Sequence, residues 1–338
     1  MPQRRVIVLL GCVAALALRP ALAWGPEGHR TVGAIADSLL AGTHAAARVR
    51  SILGGETLET AALWADCVKG TSETPPYRFT VSPEYPECRP FESKRGRAAM
   101  VAYVKRNLKA CHPGPDEESC HRQYHYADVA VERDAYDRAE HGTSDHDVVA
   151  ALRACIAVLE GRPAPAPFSI RGRKEALRLL AHYAGDIHQP LHAGAVYLDH
   201  AGQLVDPDHG TFDPDSRTHG GNLLKNGAAN LHHEWDVVPA SLDVANFRAE
   251  GVQRARAVAA TPGAVEDWPA AWASESIVRS HEAFAGVTYG PEVEPGTRFR
   301  HWSYALPPEY AQRRDALQAQ QLVRAGARLA QLLEAIWP

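Results

Sequence analysis

Apolar positions recur at helical spacing along most of the chain. Val32, Ile35, Ala36, Leu39 and Leu40 form one set; Leu177, Leu179, Leu180, Tyr183, Ala184 and Ile187 form a second; Leu322, Ala325, Leu329, Leu332, Leu333 and Ile336 form a third. Offsets of three and four put each set on one stripe of an α-helix, and that stripe has to be buried against another element. No sustained period-2 run competes with them, so the pattern predicts an all-α fold. Proline and glycine gather around Thr74–Pro90 and around Asp206–Gly221, which read as long surface loops rather than linkers. With no internal repeat, the expectation is a single compact multi-helix domain over residues 24–338. That is large for one domain, and a central metal cluster or cofactor would tie its helices together.

The first residues follow a different logic. Arg4 and Arg5 precede an apolar stretch from Val6 to Leu18, and Ala21-Leu22-Ala23 offers the small-x-small pattern of a signal-peptidase site. Residues 1–23 therefore read as a leader directing a periplasmic or secreted protein, with Trp24 as the new N-terminus. A lipoprotein-type cut before Cys12 fits less well, because that cysteine falls inside the apolar core of the leader. Beyond Cys12, the odd number Cys67, Cys88, Cys111, Cys120 and Cys155 allows at most two disulfides in an oxidising compartment. Cys111 and Cys120 flank a short loop and form the first expected pair, and Cys67 with Cys88 the second. Cys155 lies on an apolar helical pattern and reads as a buried free thiol.

Composition narrows the function classes. The 338 residues carry 36 Lys and Arg against 40 Asp and Glu, a formal charge of −4. Loss of Arg4, Arg5 and Arg19 with the leader makes the mature chain more acidic still. Such a surface does not hold a polyanion through clustered cations. The unusual count is 17 histidines, and their placement is informative. In AHYAGDIHQPLHAG, His182 and Asp186 stand one helical turn apart on one face, with His192 following after Pro190; in NLHHEWD, His232 and Asp236 repeat the four-residue offset. One His-x-x-x-Asp pair is ordinarily a structural contact, but two in one chain point to metal. Trp64-Ala65-Asp66, Tyr124-His125-Tyr126-Ala127-Asp128 and Trp24-Gly25-Pro26-Glu27-Gly28-His29 add further donors, the last directly after the expected cut.

Together these motifs resemble the zinc-dependent single-strand nucleases and 3′-nucleotidases of fungi, plants and bacteria, which share a fold with bacterial zinc phospholipase C. The resemblance spans nearly the whole mature chain and includes GGN at Gly220–Asn222 and WASES at Trp272–Ser276. It implies an all-α fold built around three zinc ions. Asp66, His125, His182 and Asp186 would hold the first, and His192, His232 and Asp236 the second. The third would take the Trp24 amine and carbonyl, His29 and a shared Asp186 oxygen. It further implies hydrolysis of single-stranded DNA, RNA and 3′-nucleotides to 5′-phosphorylated products or free phosphate, by a monomer needing no protein partner. Asp128 would orient the attacking water, and Tyr126 would stack a base. Lys69 stands where the family commonly has arginine, and would neutralise charge on the phosphoryl oxygens. The donor types are those zinc favours, and the metals would supply the positive potential that the protein surface lacks.

Two stretches depart from the family: insertions near residues 70–124 and 197–219. The first carries the basic run Lys94–Arg97, read as a solvated face. The second carries Asp206, Asp208, Asp213 and Asp215 without the spacing of a calcium motif. His188 and His233, next to expected ligands, are expected to hydrogen-bond around the metals rather than bind them. The rival readings are a zinc phospholipase C, which would end its last ligand pair in glutamate rather than Asp236, and a non-catalytic periplasmic zinc-binding protein, which would carry the His-rich tracts absent here.

Overall fold

The computed structural model describes residues 24–80, 85–114 and 117–338, so the leader expected over residues 1–23 lies outside the described part. Among the described residues the chain forms α1 (Pro26–Leu39), α2 (His44–Leu53), α3 (Leu58–Ala61), α4 (Trp64–Val68), α5 (Lys94–Ala110) and α6 (Cys120–Gln123). It continues with α7 (Val148–Leu159), α8 (Gly172–Asp186), α9 (Leu231–Asp236), α10 (Val244–Ala255), α11 (Trp268–Phe284) and α12 (Tyr310–Ile336). The three helical stripes read from the sequence fall on α1, α8 and α12. No helix among the described residues is long and apolar enough to cross a membrane.

α8 is the centre of the fold. Its C-terminal half, from Leu179 to Asp186, is buried on every side, because α1, α2, α3, α4, α7 and α12 all pack against it. A helix apolar all round belongs inside, and any polar group it carries there has to have a purpose. α1 lies close along α12, and the approach needs Gly326, where a Cβ would sit 2.6 Å from the Ile35 side chain. α8 ends at Asp186, and Pro190 opens a 3-10 turn through His192, as expected of a residue that cannot continue a helix.

The structure also contains sheet that the periodicity did not announce. β1 (Val129–Ala130) pairs in parallel with β2 (Gly194–Ala195). β3 (Leu224–Asn226), β4 (Ala229–Asn230), β5 (Thr288–Val293) and β6 (His301–Ala305) form a four-stranded sheet in the order β4-β3-β6-β5. Only Trp302 and Tyr304 of β6 are buried, too short an alternation to register, and β5 contains Gly290 and Pro291, both poor strand formers. The sheet has its own core of Leu224, Trp235, Phe284, Trp302, Tyr304 and Tyr310, separate from the larger helical core.

Cys67–Cys88 and Cys111–Cys120 are disulfides, and Cys155 is a buried free thiol, as expected from their positions. The run Lys94–Arg97 opens α5 and its Lys and Arg side chains are exposed. The acids of the second insertion are taken up by basic partners: Asp206 and Asp208 grip Arg133 at 2.6 and 2.9 Å, and Asp213 holds Arg300 at 3.0 Å.

Candidate metal centre

The candidate donors converge where the helical core meets the sheet. α8 delivers His182 and Asp186 from the interior, α4 delivers Asp66, and α9 delivers His232 and Asp236. α9 is only six residues long and starts at Asn230, whose side chain accepts from the His233 amide at 2.7 Å. His125 and His192 come from irregular segments, which the β1–β2 pair holds in register. The Ala127 amide bonds the His192 carbonyl at 2.8 Å, and His192 Nδ1 returns the contact by donating to the His125 carbonyl at 2.8 Å.

Around Asp186, His125 Nδ1 lies 2.9 Å and His182 Nε2 3.2 Å from Oδ2, while His29 Nε2 lies 3.3 Å from Oδ1. Asp66 closes the group, its Oδ1 3.6 Å from His182 Nε2 and 3.9 Å from His125 Nδ1, its Oδ2 4.0 Å from His29 Nε2. Four donors about 2.0–2.2 Å from a tetrahedral zinc stand about 3.3–3.6 Å from one another, and these spacings cluster around that range. A second group comprises His192, His232 and Asp236: the two Nε2 atoms are 3.0 Å apart, and His232 Nε2 is 3.5 Å from Asp236 Oδ1.

The hydrogen bonds fix the tautomers and so decide what these nitrogens present. Carbonyls only accept, so His192 Nδ1 (to His125), His232 Nδ1 (to Gly220, 2.8 Å) and His182 Nδ1 (to Ala62) all carry the proton. Their Nε2 atoms are then lone pairs. Two lone pairs 3.0 Å apart between His192 and His232, and a third aimed at the Asp186 carboxylate, repel unless a cation lies between them. Burial holds His232 well below the ordinary imidazole range, with neighbouring His192 acting the same way, so a proton is poorly placed to serve. Burial likewise pushes the Asp236 carboxyl up, and lowers His29 to about 4 with help from His182. His182 moves up against its own burial because Asp186 and Asp66 face it. Buried polar atoms without hydrogen-bond partners in this group include His29 Nδ1 and Nε2, Asp186 Oδ1 and Asp236 Oδ2. The residues present fit a polynuclear, zinc-type centre.

Trp24 is fully buried beside this group. Its indole donates to the Gly185 carbonyl at 2.9 Å, and the Gly25 amide bonds the Asp236 carbonyl at 2.7 Å. Gly185 has to lack a side chain, since a Cβ there would lie 2.9 Å from His29 Nδ1. The first described residue is thereby held between α8 and α9, next to His29.

A cavity of about 240 Å³ opens over His125, His192 and His232. Lys69, Tyr126 and Asp128 line it. Lys69 Nζ is ion-paired with Asp66 Oδ1 at 2.8 Å and its side chain is 9% exposed. Asp128 is buried, which raises its carboxyl, and Oδ1 has no partner. The Tyr126 hydroxyl donates to Glu118 at 3.3 Å. Four other lining residues were not anticipated. His219 Nδ1 stands 3.8 Å from Asp128 Oδ2, Phe299 packs edge-on to His219, and Arg122 and Glu118 come from the first insertion. Only His219, abutting Gly220-Gly221-Asn222, had a signal nearby; the others come from stretches without pattern.

His188 and His233 play other parts than expected. His188 donates from Nδ1 to the Ala184 carbonyl at 2.7 Å and accepts from Arg328 at 3.1 Å, bracing α8 against α12. His233 is exposed and bonds through its backbone. His233 falls on the outer face of α9, and His188 lies just past the end of α8, turned toward α12.

Known proteins match along the whole described length. Endonuclease 2 of Arabidopsis thaliana is 27% identical, over 93% of this chain and 90% of its own. Endonuclease 1 of the same plant is 22% identical over 98% and 93%. The signature of the S1/P1 nuclease family covers residues 24–338, and the chain belongs to that family, a hydrolase of phosphodiester bonds.

Proposed function

We propose that the mature chain, one domain from Trp24 to Pro338 with insertions near 70–124 and 197–219, is a periplasmic or secreted zinc endonuclease. Its substrates on this reading are single-stranded DNA and RNA, cut to 5′-phosphorylated products, together with 3′-nucleotides. The chain acts as a monomer, without a stable protein partner. The observation that carries the metal requirement is the pair of Nε2 lone pairs of His192 and His232, 3.0 Å apart with both Nδ1 protons committed to carbonyls.

Asp66, His125, His182 and Asp186 would hold one zinc, and His192, His232 and Asp236 a second. Trp24, His29 and an oxygen of Asp186 would hold a third. When bound, zinc neutralises phosphoryl charge and acidifies water. The chain's own residues then do the rest. Asp128, with an open Oδ1 on the cavity wall, orients the water that attacks phosphorus and accepts its proton, while the P–O3′ bond breaks and the departing 3′-oxygen takes up a proton from solvent water. Lys69 sits at the cavity edge and compensates charge growing on the phosphoryl oxygens. Tyr126 offers a face to a base; a duplex keeps its bases stacked on one another and denies that contact, which supports a preference for single strands.

The test incubates zinc-loaded protein beginning at Trp24 with single-stranded DNA, RNA, a 3′-nucleotide and phosphatidylcholine vesicles, with and without chelator. Chelator-sensitive release of 5′-nucleotides is the expected result. Release of diacylglycerol without nucleotide cleavage would move the chain to phospholipase chemistry, and zinc binding without any product would leave a metal site that does no hydrolysis.

A further inference from the structure

The first insertion builds a second cavity, about 230 Å³ against about 240 Å³ for the first. The two share Lys69 and Arg122 on their walls. Its wall mixes apolar and acidic groups: Phe79 and Tyr85 contribute rings, the Cys67–Cys88 disulfide forms part of the wall, and Asp66 borders it on the side of the metal centre. Phe79 pairs with Thr71 across a short bridge, the Thr80 amide bonds the Gly70 carbonyl at 3.1 Å, and the Phe79 ring lies directly on Gly70, where a Cβ would be 3.1 Å from it. Glu87 and Glu92 place carboxylates on the lining. Arg122 is aimed in advance, donating from Nε to Glu73 at 2.6 Å and from a terminal nitrogen to the Lys69 carbonyl at 3.3 Å.

We propose that this cavity is a second nucleoside subsite, which receives the base on the far side of the scissile phosphate from the one at Tyr126, with Lys69 and Arg122 flanking the phosphate between them. The proposal rests on the nuclease reading given above. A phosphodiester carries a nucleoside on each side. If the phosphate lies over the metal centre beside the two cations and one nucleoside fills the first cavity, two spaces continue from the same two cations: this cavity, and an open polar groove along residues 71–74 and Arg298 that offers no aromatic ring to a base. The cavity's chemistry suits a base, which is neutral and planar, stacks on aromatic rings, and presents N–H donors that carboxylates accept. A further phosphate or an acidic peptide would meet Glu87 and Glu92 instead. The subsite is filled by a dinucleotide or longer strand and left empty by a 3′-mononucleotide, so it sets the balance between nuclease and nucleotidase activity.

The experiment compares kcat/KM for a dinucleoside monophosphate of two adenosines with kcat/KM for adenosine 3′-phosphate, in wild type and in Phe79→Ala, Phe79→Leu and Phe79→Tyr. Loss of one base–aromatic stack corresponds to about 5- to 150-fold. The ratio of dinucleotide to mononucleotide is expected to fall by a factor in that range in Phe79→Ala, to fall in Phe79→Leu, and to return in Phe79→Tyr. Inhibition by adenosine 5′-phosphate, the product that would occupy this cavity, weakens in parallel. Should Phe79→Ala fail to fold, the Leu and Tyr variants separate an aromatic face from mere bulk. A wild-type chain that hydrolyses neither substrate overturns the nuclease reading and the subsite with it. Hydrolysis of both, with ratio and product inhibition unmoved by Phe79→Leu, overturns the subsite alone.

Discussion

At the scale of residues, Asp186 and Lys69 separate what binds from what compensates. Asp186 contacts three imidazoles within 3.3 Å and has no exposure to water. Asp186→Asn is expected to lower the zinc content of the purified protein by more than one ion. It should also reduce kcat/KM further than Lys69→Ala, for which removal of one charge-stabilising group implies about 10²–10³-fold; equal zinc content in both variants would contradict a shared ligand. Trp24 gives the complementary case. Trp24 is buried beside His29, and in the proposed mature chain an extension by a few residues would turn its free amine into an amide. Metal analysis of such an extended protein is expected to show one zinc fewer and little activity, and full activity would sink the amine-ligand role.

At the scale of elements, α8 and α12 are joined by a buried polar contact. Arg328 donates to His188 at 3.1 Å and to both oxygens of Glu275 at 2.7 Å. Arg328→Met keeps the bulk but leaves His188 Nε2 buried without a donor, a cost of about 1–3 kcal/mol that a shift of the denaturant midpoint would register. The stretch closed by Cys111–Cys120 has a pH dependence of its own. His146 Nε2 lies 3.5 Å from Glu117, whose carboxylate also accepts the Gly114 amide at 2.6 Å. The His146 imidazole facing it holds Glu117 down at about 2, against an ordinary 4.5, and Arg217 acts the same way. Burial opposes the charge on His146, but Glu117 and Asp145 raise its pKa above 6.5. A raised imidazole contributes fully below 6.5 and is lost as pH climbs through its folded value; a depressed carboxyl contributes above 4.5 and is lost toward 2. Hydrogen exchange at the Gly114 amide, corrected for its intrinsic pH dependence, should therefore be slowest between those limits in wild type, with the maximum gone in His146→Gln.

At the scale of the molecule, the centre joins two hydrophobic cores, and metal binding to the folded state alone adds stability by mass action. Chelation should lower the melting temperature, because it restores the repulsion between the His192 and His232 lone pairs; an unchanged melting curve would mean that a proton already fills the gap. The readable parts of this architecture were the local ones. The stripes of α1, α8 and α12, the His182/Asp186 and His232/Asp236 offsets, and both disulfides lie within a turn or a loop of sequence. The four-stranded sheet, Phe299 over His219, Arg122 beside Lys69 and the second cavity all depend on meetings between distant segments, and no short period marks them. His188 and His233 were placed near the metals by sequence proximity, but His233 falls on the outer face of α9 and His188 turns toward α12 beyond the end of α8.

The candidate donors are drawn from separate places along the chain between Trp24 and Asp236, and the Gly25 amide bonds the Asp236 carbonyl across that whole span. Each of these closures has to be made before the next is rewarded. In refolding, helix content should thus return well before hydrolysis does, and the catalytic signal serves as an audit of the entire tertiary structure: a chain wrong in any one segment has no partial centre with which to cut.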